Sequence, residues 1–222
     1  EEFSPMPDFA ARRTMMVDTQ VRPSDVTKFP IIEAMLTIPR EEFVPATQRE
    51  TAYLGENLDI GEGRVLLEPR TLAKLLDALN ISNDELVLDI GSAMGYSAAV
   101  IARMAEAVVA VEESEALSGE AQEALSGAGT DNVILHSGPL ADGAAQHGPY
   151  DVIVIEGAVE TIPAALIDQL KEGGRIGCLF QEGALGEARI GLKQSGVLSW
   201  RMAFNAGAPL LPGFLTEKAF EL

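Results

Sequence analysis

A glycine-containing turn in the middle of the chain carries the residue types best suited to holding a ligand. Residues 89–96 read Asp-Ile-Gly-Ser-Ala-Met-Gly-Tyr and end an apolar, strand-like run that starts at residue 85. Gly91 permits a tight turn, and Gly95 lets the next helix begin close to whatever lies over it. Glu112 ends the next apolar run, about 20 residues later, where an acidic side chain accepts hydrogen bonds from ribose hydroxyls and repels a 2′-phosphate. The pattern predicts a site for an unphosphorylated nucleoside or a dinucleotide of the NAD type.

The spacing of the glycines separates these two ligand classes. A dinucleotide site is typified by G-x-G-x-x-G, which brings backbone amides at a helix N-terminus to a pyrophosphate. Here the glycines are four positions apart, at 91 and 95, and Asp89 would lie unfavourably beside a phosphate. A carboxylate at that place suits the ammonium of an amino-acid-bearing nucleoside. The turn therefore favours S-adenosylmethionine over NAD, and it disfavours an NAD-dependent oxidoreductase.

The elements around the turn alternate between apolar β-branched runs and helical patterns. Strands are predicted at 85–90, 107–112, 132–136, 150–155 and 175–180, and strand segments of an antiparallel pair at the edge after residue 188. Such runs indicate an α/β fold with a doubly wound, mostly parallel seven-stranded sheet covered on both faces. Helices are predicted at 9–21, 30–35 and 70–79, while residues 51–69 read as a long irregular loop. We divide the chain into N-terminal helices with an active-site loop (6–80) and a cofactor-binding domain (81–222).

Composition limits the partners of this fold. The chain has 222 residues and a formal net charge of −18, which disfavours nucleic acid and anionic membrane surfaces because phosphates would be repelled. No apolar run is long enough to span a bilayer. Cys178 lies alone in an apolar run, and His136 and His147 have no companions at ligand spacing, so we expect no metal site. We expect a cytoplasmic protein that is monomeric or weakly homo-oligomeric.

Several segments of the chain resemble, in order and spacing, those of the protein-L-isoaspartate (D-aspartate) O-methyltransferase family. Residues 38–45, Ile-Pro-Arg-Glu-Glu-Phe-Val-Pro, look like its "hydrophobic-P-R-E-x-F-V-P" element. Residues 86–99 resemble "V-L-E-I-G-T-G-S-G-Y-Q-A-A". Further similar elements are Ala52-Tyr53 with 60–63 for "A-Y-x-D-x-P-L-P-I-G-x-G", 149–151 for "P-[FY]-D" and 169–175 for "Q-L-K-x-G-G-R". The resemblance covers residues 16–180.

This resemblance implies a Rossmann-like class I methyltransferase with an N-terminal helical extension. The family uses S-adenosylmethionine to methylate the α-carboxyl of isoaspartyl residues in damaged protein, which begins their repair. By matched position, the cofactor would be held by Asp89, Gly91, Ser92, Gly95, Tyr96, Glu112, Glu113 and Gly138. The catalytic loop would contribute Gly61, Gly63, Arg64 and Leu67.

The chain departs from the family pattern mainly in that loop. The family continues "G-x-G-[QT]-T-I-S-x-P", and here Val65 and Leu67 replace the Thr and Ser. Pro139 stands where the family has the Asp of "G-D-G", and Ala93 replaces a glycine of the turn. Arg64 offers a replacement cation for a substrate carboxylate, or is a solvated loop arginine. The departures leave open a divergent member that lacks isoaspartyl activity and methylates another acceptor, or binds a nucleoside or protein partner without catalysis.

Overall fold

The apolar runs of the sequence form one central sheet in the computed structural model, which describes residues 8–216. The helices are α1 (Phe9–Met16), α2 (Phe29–Thr37), α3 (Pro69–Leu79), α4 (Tyr96–Ala102), α5 (Glu115–Gly127) and α6 (Ala164–Gln169). The strands are β1 (Leu58–Gly61), β2 (Arg64–Leu66), β3 (Leu86–Ile90), β4 (Ala107–Glu112), β5 (Val133–Ser137), β6 (Tyr150–Val159), β7 (Leu170–Glu182), β8 (Leu185–Gln194) and β9 (Val197–Asn205).

Seven of these strands make the main sheet, in the order β5-β4-β3-β6-β7-β8-β9. The strands from β5 to β7 are parallel, and β8 and β9 add antiparallel partners at one edge. Strands β3 and β4 are almost entirely buried, as expected for a parallel sheet with helices on both faces. This confirms the predicted doubly wound, mostly parallel seven-stranded fold.

Short helices precede the sheet, as the sequence indicates. Asp8 caps α1 by accepting a hydrogen bond from the Ala11 amide at 2.9 Å, and the helix continues as a π-helical segment, Val17–Val21. Helix α2 starts with a proline in its first turn, where the missing amide costs nothing. Two 3₁₀ segments, Arg40–Phe43 and Ala46–Thr51, then lead to the region predicted to be irregular.

That region contains a β-hairpin, so the prediction of an irregular loop over 51–69 is wrong for its second half. Strands β1 and β2 pair antiparallel as a separate two-stranded sheet. Glu62 and Gly63 connect them with positive φ at both positions, 57° and 71°, the geometry of a two-residue hairpin turn. The alternation of buried and exposed residues in β1 is only four residues long, too short to stand out in the sequence.

The elements predicted in the rest of the chain are present with shifted ends. Strand β6 runs on to Val159 and β7 begins at Leu170, so both are longer than predicted. Cys178 is fully buried in β7, as the apolar run around it suggests. Among residues 8–216, no helix combines the length and apolar character needed to cross a membrane.

Candidate functional site

The order of the strands places the candidate site at the carboxyl ends of β3 and β6. The chain builds the sheet outward from β3 through β4 to β5, and then returns to the other side of β3 with β6. A crevice forms where the order reverses in this way, and ligands of doubly wound folds bind there. Residues 89–96 leave β3 at this point, and Glu156 lies just beyond the last β3–β6 pair, Ile90 with Ile155.

The turn has the backbone geometry that its glycines predict. Gly91 and Gly95 adopt positive φ values of 78° and 93°. Ala93 between them has φ 51°, a conformation that costs a residue with a Cβ roughly 1–2 kcal/mol. A Cβ on residue 95 would lie 3.3 Å from Leu125 of α5, so glycine also permits the close packing of this helix. The turn therefore brings α4 and α5 close to the ends of the strands.

Glu112 ends β4 beside this turn and is almost fully buried. Its Oε1 accepts hydrogen bonds from the amides of Glu113 and Ser114 at 2.9 and 3.0 Å. Its Oε2 accepts one from the Ala93 amide at 2.8 Å, which joins the end of β4 to the turn after β3. These contacts fix the carboxylate at the position that the sequence assigns to a ribose-binding residue.

Arg64 of the hairpin reaches into the same place. Its Nη1 and Nη2 lie 3.0 and 3.1 Å from the two oxygens of Glu112, a bidentate ion pair with exposed side-chain fractions of 5% and 1%. Nη2 also lies 2.9 Å from where a Cβ of residue 91 would be, so the guanidinium fills the space over Gly91. Arg64 is thus neither solvated nor free for a carboxylate substrate in this conformation.

Two carboxyl groups lie side by side at the floor of the site. Ser97 donates a hydrogen bond to Oδ2 of Asp89 at 2.6 Å, while Oδ1 of Asp89 and Oε1 of Glu156 have no partner beyond each other in the part of the chain that the structure describes. Burial raises the pKa of Asp89 and of Glu156, and the proximity of the two groups raises that of Glu156 further. The pair shares a proton more readily than it carries two charges.

Glu156 was not singled out from the sequence, and a strand irregularity explains its orientation. The pairing of β6 with β7 shifts between Val154 and Ala158. Strand β6 advances by four residues there while β7 advances by two. Such bulges re-aim side chains and are common beside active sites. Gly157 belongs to the same bulge, where a Cβ would lie 2.6 Å from Leu211. The available signal was an acidic residue at the end of the apolar run 150–155.

Arg40 is a second residue that the sequence analysis named only as part of a motif. Its guanidinium is fully buried and donates to the carbonyl of Ala52 at 2.6 Å and to that of Leu67 at 2.9 Å. It lies 4.8 Å from the ring centre of Tyr96. Arg40 therefore links the segment before the hairpin, the segment after it and the turn that follows β3.

The other residues predicted for the site lie around this centre. Leu67 is buried directly after β2, whereas Gly61 and Gly63 are exposed at the tip of the hairpin. Glu113 is exposed, and Gly138 donates its amide to the carbonyl of Glu112 at 3.2 Å. Asp89, Ser92 and Tyr96 are buried on the turn. The structure thus brings together most of the predicted residues, but their roles stay predictions.

The residues of the turn fit a cofactor with a nucleoside and an amino-acid end. Oγ of Ser92 and the Tyr96 hydroxyl are buried without a hydrogen-bond partner among the described residues. Buried polar atoms are normally paired, so these two suit a ligand with polar groups of its own. In residues 8–216, no three His, Cys, Asp or Glu side chains group together as a metal site would require.

Comparison with known proteins gives a consistent picture. The sequence profile of the family described as protein-L-isoaspartate(D-aspartate) O-methyltransferase matches residues 12–184. A protein-L-isoaspartate O-methyltransferase of Roseiflexus castenholzii is 36% identical over 169 residues, which are 76% of this chain and 77% of that protein. A protein-L-isoaspartate O-methyltransferase 2 of Anaeromyxobacter sp. is 38% identical over 178 residues, 80% of this chain and 72% of its own length.

Solved structures agree with the sequence relatives. One protein-L-isoaspartate O-methyltransferase structure superimposes with a TM-score of 0.80 at 28% identity, covering 91% of this chain and 67% of that one. A candidate enzyme of the same kind from Plasmodium falciparum, solved with S-adenosyl-L-homocysteine, has a TM-score of 0.78 at 18% identity and covers 90% of this chain and 97% of its own. The second likeness concerns the fold alone.

Proposed function

Because this chain belongs to the protein-L-isoaspartate(D-aspartate) O-methyltransferase family, we propose that it transfers the methyl group of S-adenosylmethionine to the α-carboxyl of isoaspartyl residues in protein. The family match over residues 12–184 carries this proposal. The burial of Asp89, Ser92 and Glu112 around the turn at the point of strand reversal supports it. The comparisons give no support to the alternative of a member without this activity.

In the proposed cofactor site, the nucleoside lies at the end of β4 and the methionine end lies at the turn after β3. Glu112 would accept hydrogen bonds from the ribose hydroxyls, with Glu113 and Gly138 beside the adenine. Gly91 and Gly95 would let the methionine end lie close to the backbone, between Ser92, Tyr96 and the carboxyl of Asp89. Since Arg64 holds Glu112 in this structure, the ribose must displace its guanidinium.

The chemistry asks little of the protein beyond positioning. Bound S-adenosylmethionine supplies a methyl group already activated by a sulfonium. An acceptor carboxylate is already ionised, so it needs no general base, and in-line placement of its oxygen provides most of the rate. The residues of the loop proposed for this placement are Gly61, Gly63, Arg64 and Leu67. A site with Leu67 in place of a hydroxyl needs another group to hold the acceptor, because a buried charge without partners is costly.

Protein and peptide are the proposed acceptors, in the cytoplasm, with the enzyme a monomer or weak homo-oligomer. The formal net charge of −18 favours these over nucleic acid, which the surface would repel. The buried, unpaired Cys178 agrees with a reducing compartment.

Calorimetric titration tests the cofactor half of the proposal. S-adenosylmethionine and S-adenosylhomocysteine are each titrated into the protein, with NAD as the comparison ligand. We expect both adenosyl ligands to bind and NAD to bind far more weakly. Absence of binding of either adenosyl ligand at millimolar concentration would refute the proposed function. Methyl transfer to an isoaspartyl peptide then separates the proposed activity from the alternative of another acceptor.

A further inference from the structure

Glu112 has no acceptor capacity left in the conformation described. Its two oxygens accept five hydrogen bonds, three from backbone amides and two from Arg64. An ionised carboxylate offers about four lone-pair positions, so a ribose diol finds none vacant. The amides of Ala93, Glu113 and Ser114 belong to the turn and to the end of the strand, and Arg64 is the one partner on a separate element. Binding of a nucleoside at Glu112 and the Arg64 contact therefore exclude each other.

The guanidinium also takes up the space that a ligand needs. Its Nη2 lies over Gly91, 2.9 Å from the position of a Cβ on that residue. The room that the glycine provides is thus filled by a side chain of the protein. Nε of Arg64 is buried with no hydrogen-bond partner among residues 8–216, so within this part of the chain the contact leaves one donor of the guanidinium unpaired. Breaking a buried ion pair is costly when a charge is left buried without a partner, so the exchange requires that the ligand take over Glu112 and that the guanidinium find another partner.

The hairpin that carries Arg64 is anchored by its buried side chains and at its base. Strands β1 and β2 form a two-stranded sheet of their own, whose Leu58, Ile60 and Leu66 are buried in the core. Its base is fixed by Asn57, which accepts from the Glu68 amide at 2.9 Å and donates to the Gly207 carbonyl at 2.9 Å. Its tip, with Gly61 and Gly63, is exposed. The inference below therefore needs only the Arg64 side chain, beside this exposed tip, to leave Glu112 while the buried side chains of the hairpin stay in place.

We propose that Arg64 serves two sites in turn, as the internal occupant of the ribose position and then as the residue that binds the carboxylate of the acceptor. This inference rests on the proposed function. When the cofactor ribose binds Glu112, the guanidinium of Arg64 is released. Arg64 is three residues from Leu67, in the loop proposed to hold the acceptor. A guanidinium binds a carboxylate with two parallel hydrogen bonds, which Val65 and Leu67 cannot supply. The acceptor site is then complete only after the cofactor is bound, and binding is ordered.

Replacement of Arg64 has opposite effects on the two ligands if this is correct. In Arg64→Ala, Glu112 keeps its three amide donors, so the site remains folded and open to ribose. We expect the Kd for S-adenosylhomocysteine, measured by calorimetry, to fall by about tenfold. We expect the KM for an isoaspartyl peptide to rise by about tenfold or more. Arg64→Lys should give values of both constants between those of the wild type and those of Arg64→Ala. Arg70→Ala is the matched control, since Arg70 is half-buried on the next helix and should change neither constant.

Hydrogen exchange gives a readout that does not depend on turnover. We expect S-adenosylhomocysteine to speed exchange of the amides at 58–66 in the wild type, and the free Arg64→Ala protein to exchange fast already. A wild type that binds and methylates while Arg64→Ala matches it in both constants would overturn the inference and leave the proposed function standing. Tighter cofactor binding in Arg64→Ala with an unchanged peptide KM would overturn the acceptor role. A lack of cofactor binding in every variant would instead refute the proposed function.

Discussion

Glu112 is held by three backbone amides and by Arg64, and in the proposed exchange only the Arg64 contact gives way to a ligand. A carboxylate preorganised by the amides of Ala93, Glu113 and Ser114 loses little freedom on binding a ribose. The contribution of Glu112 to ligand binding is best measured in a protein without Arg64, which would compete for it. Glu112→Ala alone would also leave the guanidinium of Arg64 buried without its partner. The Arg64→Ala background removes that complication.

In that background we expect Glu112→Ala to weaken adenosyl ligand binding by about 1.5–3 kcal/mol, the range for hydrogen bonds to a charged group. Calorimetric Kd values for S-adenosylhomocysteine, in Arg64→Ala with and without the second substitution, give the difference. Equal affinities in the two proteins would mean that the ribose lies elsewhere.

The Asp89–Glu156 pair makes stability depend on pH. Burial raises the pKa of Asp89 to about 7, above its ordinary value of 3.8, and the pKa of Glu156 is raised as well. A group with a raised folded pKa contributes stability that is complete below its unfolded pKa and is lost as pH rises through the folded one. Ionisation of Asp89 therefore lowers the free energy of unfolding progressively between about pH 4 and pH 7, and the raised pKa of Glu156 acts in the same direction.

Glu156→Gln removes one of the two acids. We expect its free energy of unfolding, relative to the wild type, to increase between pH 5 and pH 8, by about 1.4 kcal/mol for each unit of raised pKa that is removed. Urea titrations at the two pH values measure this. Glu160 is exposed just after the end of β6, four residues beyond Glu156, and Glu160→Gln provides the control. A difference between Glu156→Gln and wild type that does not vary with pH would contradict the shared-proton account.

At the level of the elements, the sequence predicts the regular helices and strands well and the hairpin poorly. Helix α3 shows its leucines at helical spacing, and β3 and β4 are continuous apolar runs, so local pattern is sufficient. Strands β1 and β2 have four and three residues, and their burial comes from packing over the site. The bulge that aims Glu156 likewise arises from the pairing of β6 with β7, which no local pattern encodes.

Arg40 fixes the elements around the hairpin, and its replacement should be costly. It donates two buried, charged hydrogen bonds, to the carbonyls of Ala52 and Leu67. We expect Arg40→Ala to lower the free energy of unfolding by about 3–5 kcal/mol, because both carbonyls lose a charged donor. Denaturant unfolding measures the loss. Arg12→Ala is the comparison, since the exposed Arg12–Glu50 pair should contribute less than about 1 kcal/mol. Similar losses for the two variants would rule out this role of Arg40.

For the whole molecule, the sheet topology was predictable from the sequence, and the contacts across the crevice were not. Alternating apolar runs and helices require a parallel sheet, and the order of such a sheet creates a crevice beside the first glycine turn. Residues 48 positions apart, Arg64 and Glu112, meet only once that sheet is assembled. The ion pair therefore could not be read from spacing, even though both residues were predicted to belong to the site.

The net charge of −18 acts on the molecule as a whole. Like charges repel one another in the compact state, and salt screens them over a Debye length of about 10 Å at 0.1 M. We expect the Tm, followed by circular dichroism, to rise as NaCl increases from 0.02 to 0.5 M. A Tm that falls over this range would show that the exposed ion pairs outweigh the repulsion.

Methyl transfer to a defined peptide tests the central claim most directly. Two peptides of identical sequence are compared, one with an isoaspartyl linkage and one with a normal aspartyl linkage, at a concentration of S-adenosylmethionine that saturates the protein. The account predicts a base-labile methyl ester on the isoaspartyl peptide and none on its aspartyl counterpart. Equal methylation of the two, or none on either with the cofactor bound, would contradict it.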